Sequence, residues 1–97
     1  ANEYSPSELD VESRAELAII VAGAYQDLDQ YDEAVLALQA ETGASDAPEV
    51  TRMRVFYAYA DALVQAGRPE EAKEFFAKAN ELDTEDMLDA EERIAEL

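Results

Sequence analysis

The sequence predicts an all-α domain built from two antiparallel helix-turn-helix units and a closing C-terminal helix. Three observations carry this. Alanine, glutamate and leucine dominate a chain with only three glycines and three prolines, a mixture of high helix propensity with few places for hairpin turns. Apolar residues recur at helical spacing in several windows. Shifting the chain by 38 residues superimposes its two halves, the mark of a helical repeat. Ninety-seven residues make one domain, 1–97, with a modest core and little room for a deep enclosed active site.

Residues 1–10 contain Pro6 and no periodic apolar face, so they read as a loop or frayed lead-in, with Asp10 or Ser7 as a helix N-cap. The first helix runs from Val11 to about Leu28. Its centre, Glu16 to Tyr25, is apolar nearly all round, and a helix of that kind is expected to be covered on most faces. Asp29-Gln30-Tyr31 makes a tight connection into a shorter helix ending near Ala40, with Ala34, Val35 and Leu38 on one face. Residues 41–48 form the clearest loop; Gly43 is placed to end the second helix, and Asp46 with Pro48 to start the third.

The third helix, about Glu49 to Ala66, carries Met53, Phe56, Tyr57, Ala60, Leu63 and Val64 at amphipathic spacing. Gly67 suits a left-handed residue after a helix end, and Pro69 the first turn of the next helix. The fourth helix, Pro69 to about Leu82, turns Ala72, Phe75, Phe76 and Ala79 inward. Asp83-Thr84 is a plausible cap for a last helix over 85–96, with Asp86 in its first turn and Met87, Ala90, Ile94 and Leu97 along one side.

In the 38-residue register Ala22, Ala24, Glu33 and Ala34 fall on Ala60, Ala62, Glu71 and Ala72; Leu17, Asp32 and Leu38 fall on Val55, Glu70 and Phe76. Helix ends coincide as well. The second unit, with Phe56, Tyr59, Ala60, Leu63, Ala72, Phe76 and Ala79 at small-or-apolar signature positions and the turn Ala-Gly-Arg-Pro-Glu-Glu-Ala at 66–72, resembles the tetratricopeptide repeat. Leu82-Asp83 continues the familiar ending, with Thr84 where proline is usual. The first unit, about residues 11–41, fits through Ala18, Val21, Ala22, Tyr25, Ala34 and Leu38. It departs at Glu41, has Asp29 in place of the turn glycine, and is followed by a longer loop than the family's roughly 34-residue period allows.

The resemblance implies a right-handed α-solenoid of two units, 11–41 and 49–83, with residues 85–97 as a polar capping helix. The phrases Glu16 to Ala24 and Tyr57 to Leu63 also resemble the C-terminal part of longer bacterial tetratricopeptide proteins of the actinobacterial type. That implies further helices ahead of residue 1, and Ala1 without Met fits a processed product or a fragment.

Charge and missing residue types narrow the function. Without Cys or His there are no disulfides, thiolate or imidazole metal sites, nucleophilic cysteines or Ser–His chemistry. Lack of cysteine fits a reducing, cytoplasmic setting. No apolar run approaches the roughly 20 residues that span a bilayer, and no basic-then-apolar signal pattern opens the chain. Twenty-four acids against seven bases give a charge of −17, which disfavours nucleic acid and anionic membranes. The acidity either keeps the domain soluble or attracts a basic segment.

Asp27-x-Asp29-x-x-Asp32 lacks the glycine and the final glutamate of a calcium loop, where Leu38 stands. Seven acids between Glu81 and Glu92 read as a solvated helix face. No phosphate-cradling glycine loop exists. We therefore expect no catalytic residues, cofactor or metal.

The resemblance implies that the first helix of each pair lines a concave face. The residues so implied are Glu16, Ile19, Gly23, Gln26 and Asp27, then Arg54, Tyr57, Asp61, Val64 and Gln65. The second set places a cation, an aromatic ring and a carboxylate within reach of one another. It reads as a peptide-binding face, or as a solvated face with internal Arg54–Asp61 or Arg54–Tyr57 contacts. The family's carboxylate clamp needs Lys, Asn and Arg where Ile19, Gly23 and Ala58 stand, so acidic tails are not expected partners. The first helix raises a second expectation: if nothing precedes it, Ile19, Ile20 and their neighbours drive homodimerisation. An interaction module and a self-associating end cap of a longer array thus both remain open.

Overall fold

The computed structural model describes residues 10–44, 46–83 and 89–97. Five α-helices follow one another: α1 (Val11–Asp27), α2 (Tyr31–Gln39), α3 (Glu49–Gln65), α4 (Pro69–Leu82) and α5 (Ala90–Glu96). No strand occurs among the described residues. The fold is an all-α helical repeat.

Local chemistry sets the helix ends. Asp10 caps α1: its carboxylate accepts the Ser13 N–H at 2.7 Å, satisfying one of the donors a helix start leaves unpaired. Glu12 adds a favourable charge in the first turn. After α3 the chain turns through Gly67, with φ 81°, while the Arg68 N–H donates to the Leu63 carbonyl at 2.8 Å; Pro69 then opens α4, where its missing N–H costs no helical bond. The first pair repeats this closure. Asp29 has φ 60°, and the Gln30 N–H donates to the Tyr25 carbonyl at 2.8 Å.

The loop between the pairs differs from expectation in detail. A short 3-10 turn, Ala40–Gly43, prolongs α2 into it, with the Thr42 hydroxyl donating to the Gln39 carbonyl at 2.7 Å. Gly43 closes that turn rather than α2 itself. Pro48, extended at ψ 151°, precedes α3 directly, and no side chain caps the helix, so Asp46 does not play the capping part expected of it.

The last helix is shorter than expected, starting at Ala90 with Asp89 outside it. The predicted residues 85–88, with Met87 and Asp86, lie outside the described residues, as do Thr84, the side chain of Ala90 and the lead-in residues 1–9 with Ser7. Ile94 packs against the core as expected; Leu97 does not and is exposed, because the helix ends at Glu96.

α1 packs on α2 and α3 on α4, while α2 and α3 join the two pairs and α5 lies against α4. The main core gathers Ala22, Ala34, Val35 and Leu38 from the first pair with Tyr59, Ala60, Ala62, Leu63, Ala72 and Phe76 from the second. Ala34, Ala60, Ala62 and Ala72 are fully buried, and side chains this small let helix axes approach closely. A smaller cluster joins Met53, Phe56 and Ala79. Edge-on aromatic pairs tie α3 to α4: Tyr57 to Phe76 at 5.4 Å and Tyr59 to Phe75 at 4.7 Å between centroids. α3 also buries Thr51, Val55, Tyr59 and Ala62, beyond its predicted stripe, because neighbours contact it on more than one side.

The expectation that α1 is covered on most faces does not hold. Only Ala15 and Ala22 are buried on it, whereas Ile20 is 66 % and Leu17 49 % exposed. α2 and α3 lie on one side of α1, and its apolar residues run past them. Val21 and Leu28 join Leu17 and Ile20 in an outward stripe at helical spacing, with Leu36 of α2 also exposed.

Candidate functional site

The first helices of the two pairs, α1 and α3, lie in contact, and their side chains meet across the seam. Glu16 of α1 pairs with Arg54 of α3. Gln26 of α1 donates through Nε2 to Asp61, at 3.2 Å, and to Gln65. The expected Arg54–Asp61 and Arg54–Tyr57 contacts along α3 do not form. Arg54 is drawn across to Glu16, which lies one repeat period before it in the chain.

α5 extends this ladder. Arg93 donates from Nη2 to Asp61 Oδ1 at 2.8 Å and from Nη1 to the Tyr57 hydroxyl at 3.1 Å. The Tyr57 hydroxyl donates in turn to Asp89. The Arg93 guanidinium also stands 4.8 Å from the centre of the Phe76 ring and 5.7 Å from that of Tyr57, within cation–π range. Asp61 therefore receives hydrogen bonds from two other helices, Gln26 of α1 and Arg93 of α5.

Of the ten residues predicted for this face, six form the ladder: Glu16, Gln26, Arg54, Tyr57, Asp61 and Gln65. Ile19 and Val64 are half-buried and pack against the main core, forming the floor rather than the contact surface. Gly23 leaves open space, with nothing within 4 Å of where a Cβ would stand. Asp27 is exposed at the end of α1 and takes no part in the ladder. Asp89 and Arg93 were not predicted. Both stand 32 residues after their partners, Asp89 after Tyr57 and Arg93 after Asp61, short of the 38-residue register, so that register did not point to them.

The electrostatics follow from these contacts. Burial, then the bond to Asp89, pushes the Tyr57 hydroxyl above its usual value, against the opposing influence of Arg93. The bond to Asp61, with that to Tyr57, holds Arg93 firmly in its charged form. Among the described residues no group of acidic side chains is set to hold a metal ion, and no helix is long and apolar enough to cross a membrane.

Comparison with known families matches residues 54–86 to the tetratricopeptide repeat, a span covering most of α3, the turn at Gly67 and α4. No curated protein and no solved structure matches the chain. The match is confined to residues 54–86, and a helix pair closed by the same backbone turn stands before it.

Proposed function

We propose that this chain is a non-enzymatic protein–protein interaction module that binds a protein segment, basic rather than acidic, across the face formed by α1 and α3. Tetratricopeptide repeats generally mediate protein partner binding, which supports the broad reading. The observation that carries the preference for a basic partner is the setting of Arg93. The one cation α5 brings to this face sits between Asp61, Tyr57 and Phe76; Glu16 is balanced by Arg54, and the exposed Asp27 adds a further carboxylate at the end of α1. Nucleic acid and anionic membranes meet the opposite field, since both reward clustered bases.

Selection of peptides from a random display library on the full chain tests this reading. Enriched sequences carry more Lys and Arg than Asp and Glu, and they lose binding to a Tyr57→Ala, Asp61→Lys double variant whose helicity matches wild type. Enrichment of acidic peptides, or equal retention by the double variant, contradicts it.

A second reading, a structural end cap of a longer repeat array that mediates self-association, is favoured by the outward stripe on α1. Large apolar side chains such as Ile20 and Leu17 seldom stay bare in a cluster. Sedimentation of wild type and Ile20→Ser separates the two. A dimer abolished by the substitution supports the cap; a monomer at every concentration removes self-association.

A further inference from the structure

α5 does more than cover the end of α4. It lays its single arginine in the middle of the face proposed above to receive a partner. Phe76 is fully buried, and one side of its ring is covered by the Arg93 guanidinium. The Asp61 carboxylate and the Tyr57 hydroxyl accept two separate N–H groups of the same guanidinium. A cation over the ring whose N–H groups also reach two separate acceptors suits arginine better than lysine, whose ammonium has no planar fork of donors. Beside it Ile94 packs against the main core.

The hold of α5 on this place is slight. Its seven residues are far below the roughly 12 to 15 at which an isolated helix begins to persist, so its helicity depends on docking. Residues 89–97 carry four acids, Asp89, Glu91, Glu92 and Glu96, against the one base Arg93, on a chain whose charge is −17. The Arg93–Asp61 pair is partly open to water, with side chains 25 % and 35 % exposed. A segment presenting the same arginine and aliphatic residue without the surrounding acids gains the same contacts and escapes the repulsion.

We propose that Asp61, Tyr57 and Phe76 form a receptor for one arginine side chain, that Arg93 is its internal occupant, and that a partner's helical segment carrying an arginine followed by an aliphatic residue displaces α5 to bind. This rests on the reading of the α1–α3 face as the binding surface. α5 then sets a threshold: the apparent affinity of any outside segment falls by the fraction of molecules in which the receptor is already filled.

The test uses the full chain and a neutral, alanine-rich helical peptide with one Arg-Ile step, together with a twin carrying Lys for Arg. Binding is followed by calorimetry and by the NMR signal of the Arg93 Nε–H. Arg93→Gln, which vacates the receptor, raises affinity for the arginine peptide about tenfold, and Ile94→Ser, which loosens α5 another way, raises it too. The lysine twin binds more weakly throughout, and Asp61→Asn in the Arg93→Gln chain abolishes the gain. In wild type, bound peptide shifts the Arg93 signal toward that of a free side chain. Equal affinity for wild type and Arg93→Gln, with the Arg93 signal unmoved, overturns displacement; if binding still depends on Asp61, the reading of the face survives. Binding indifferent to both Asp61→Asn and Tyr57→Phe overturns the receptor and that reading together.

Discussion

Asp29 and Gly67 hold the same place in successive helix pairs, and both turn the backbone through the left-handed region, at φ 60° and φ 81°. Glycine does this without cost, whereas an L-residue carries a penalty that aspartate bears more easily than most. The Asp29 carboxylate also accepts the Tyr31 hydroxyl at 2.8 Å, an exposed bond of small net value. Asp29→Gly therefore raises stability by about 0.5 kcal/mol, and Gly67→Ala lowers it by about 1 kcal/mol. A Cβ at Gly67 meets nothing within 4 Å, so that loss is entirely backbone strain. Urea denaturation of the two variants measures both.

Gly23 gives the opposite sign within α1. Its backbone is helical and the space around it is open. Gly23→Ala stabilises the domain by about 0.5 to 1 kcal/mol, the usual helix-interior difference. Gly23→Lys keeps the fold but sets a positive charge on the proposed binding face. Titration with a basic peptide chosen by display then shows weaker binding to the lysine variant than to the alanine variant.

Phe76 and Ile20 mark the two extremes of burial. Phe76 is closed in by Tyr57, Arg93 and the alanines of α3 and α4, so Phe76→Ala costs about 3 to 5 kcal/mol and also removes the platform under Arg93. Ile20→Ser changes stability by no more than about 0.5 kcal/mol, since that side chain lies outside the core. Chemical denaturation midpoints distinguish the two. An Ile20 variant as damaged as the Phe76 variant means that the stripe on α1 is covered in solution.

Stability falls at both ends of the pH scale for identifiable reasons. Bonds from Ser13 lower the Asp10 pKa, and the bond from Arg68 lowers that of Glu71. Groups lowered in the folded state contribute stability that is present above the ordinary carboxylate range and lost as pH falls through their folded values. Asp10→Asn retains a capping oxygen while removing that titration, so its melting temperature falls less steeply below about pH 4. Tyr57 behaves in the opposite sense. Raised by burial and the bond to Asp89, it contributes stability that is full below about pH 10 and lost as pH climbs through its folded value. Ultraviolet titration shows a late tyrosine component, part of which Tyr57→Phe removes; the remainder belongs to Tyr31, raised by its bond to Asp29.

The helices were legible where the sequence punctuates itself. Gly67 and Pro69 fixed the α3–α4 turn, and the 38-residue register carried the same boundary back to Asp29. α5 was harder, because 85–96 is rich in helix formers and the one signal for a start at Ala90 is Asp89, a poorer helix former than glutamate and a favoured N-cap residue. The covering of α1 was misread because an all-apolar helix signals what it can bury, not what is present to bury it. On the binding face the residue types were legible and the pairing was not. Reasoning along α3 joined Arg54 to Asp61, whereas helices side by side exchange partners near the repeat offset, as Glu16 with Arg54 and Gln26 with Gln65 do.

The central claim is that the face of α1 and α3, and not the outward stripe of α1, meets the partner. Amide shift mapping of the full chain with a basic peptide selected by display tests this most directly. The account predicts perturbations centred on Gly23, Gln26, Tyr57, Asp61 and Gln65, together with Arg93 on α5. Perturbations confined to Leu17, Ile20, Val21, Leu28 and Leu36, with Asp61 and Arg93 unmoved, would contradict it.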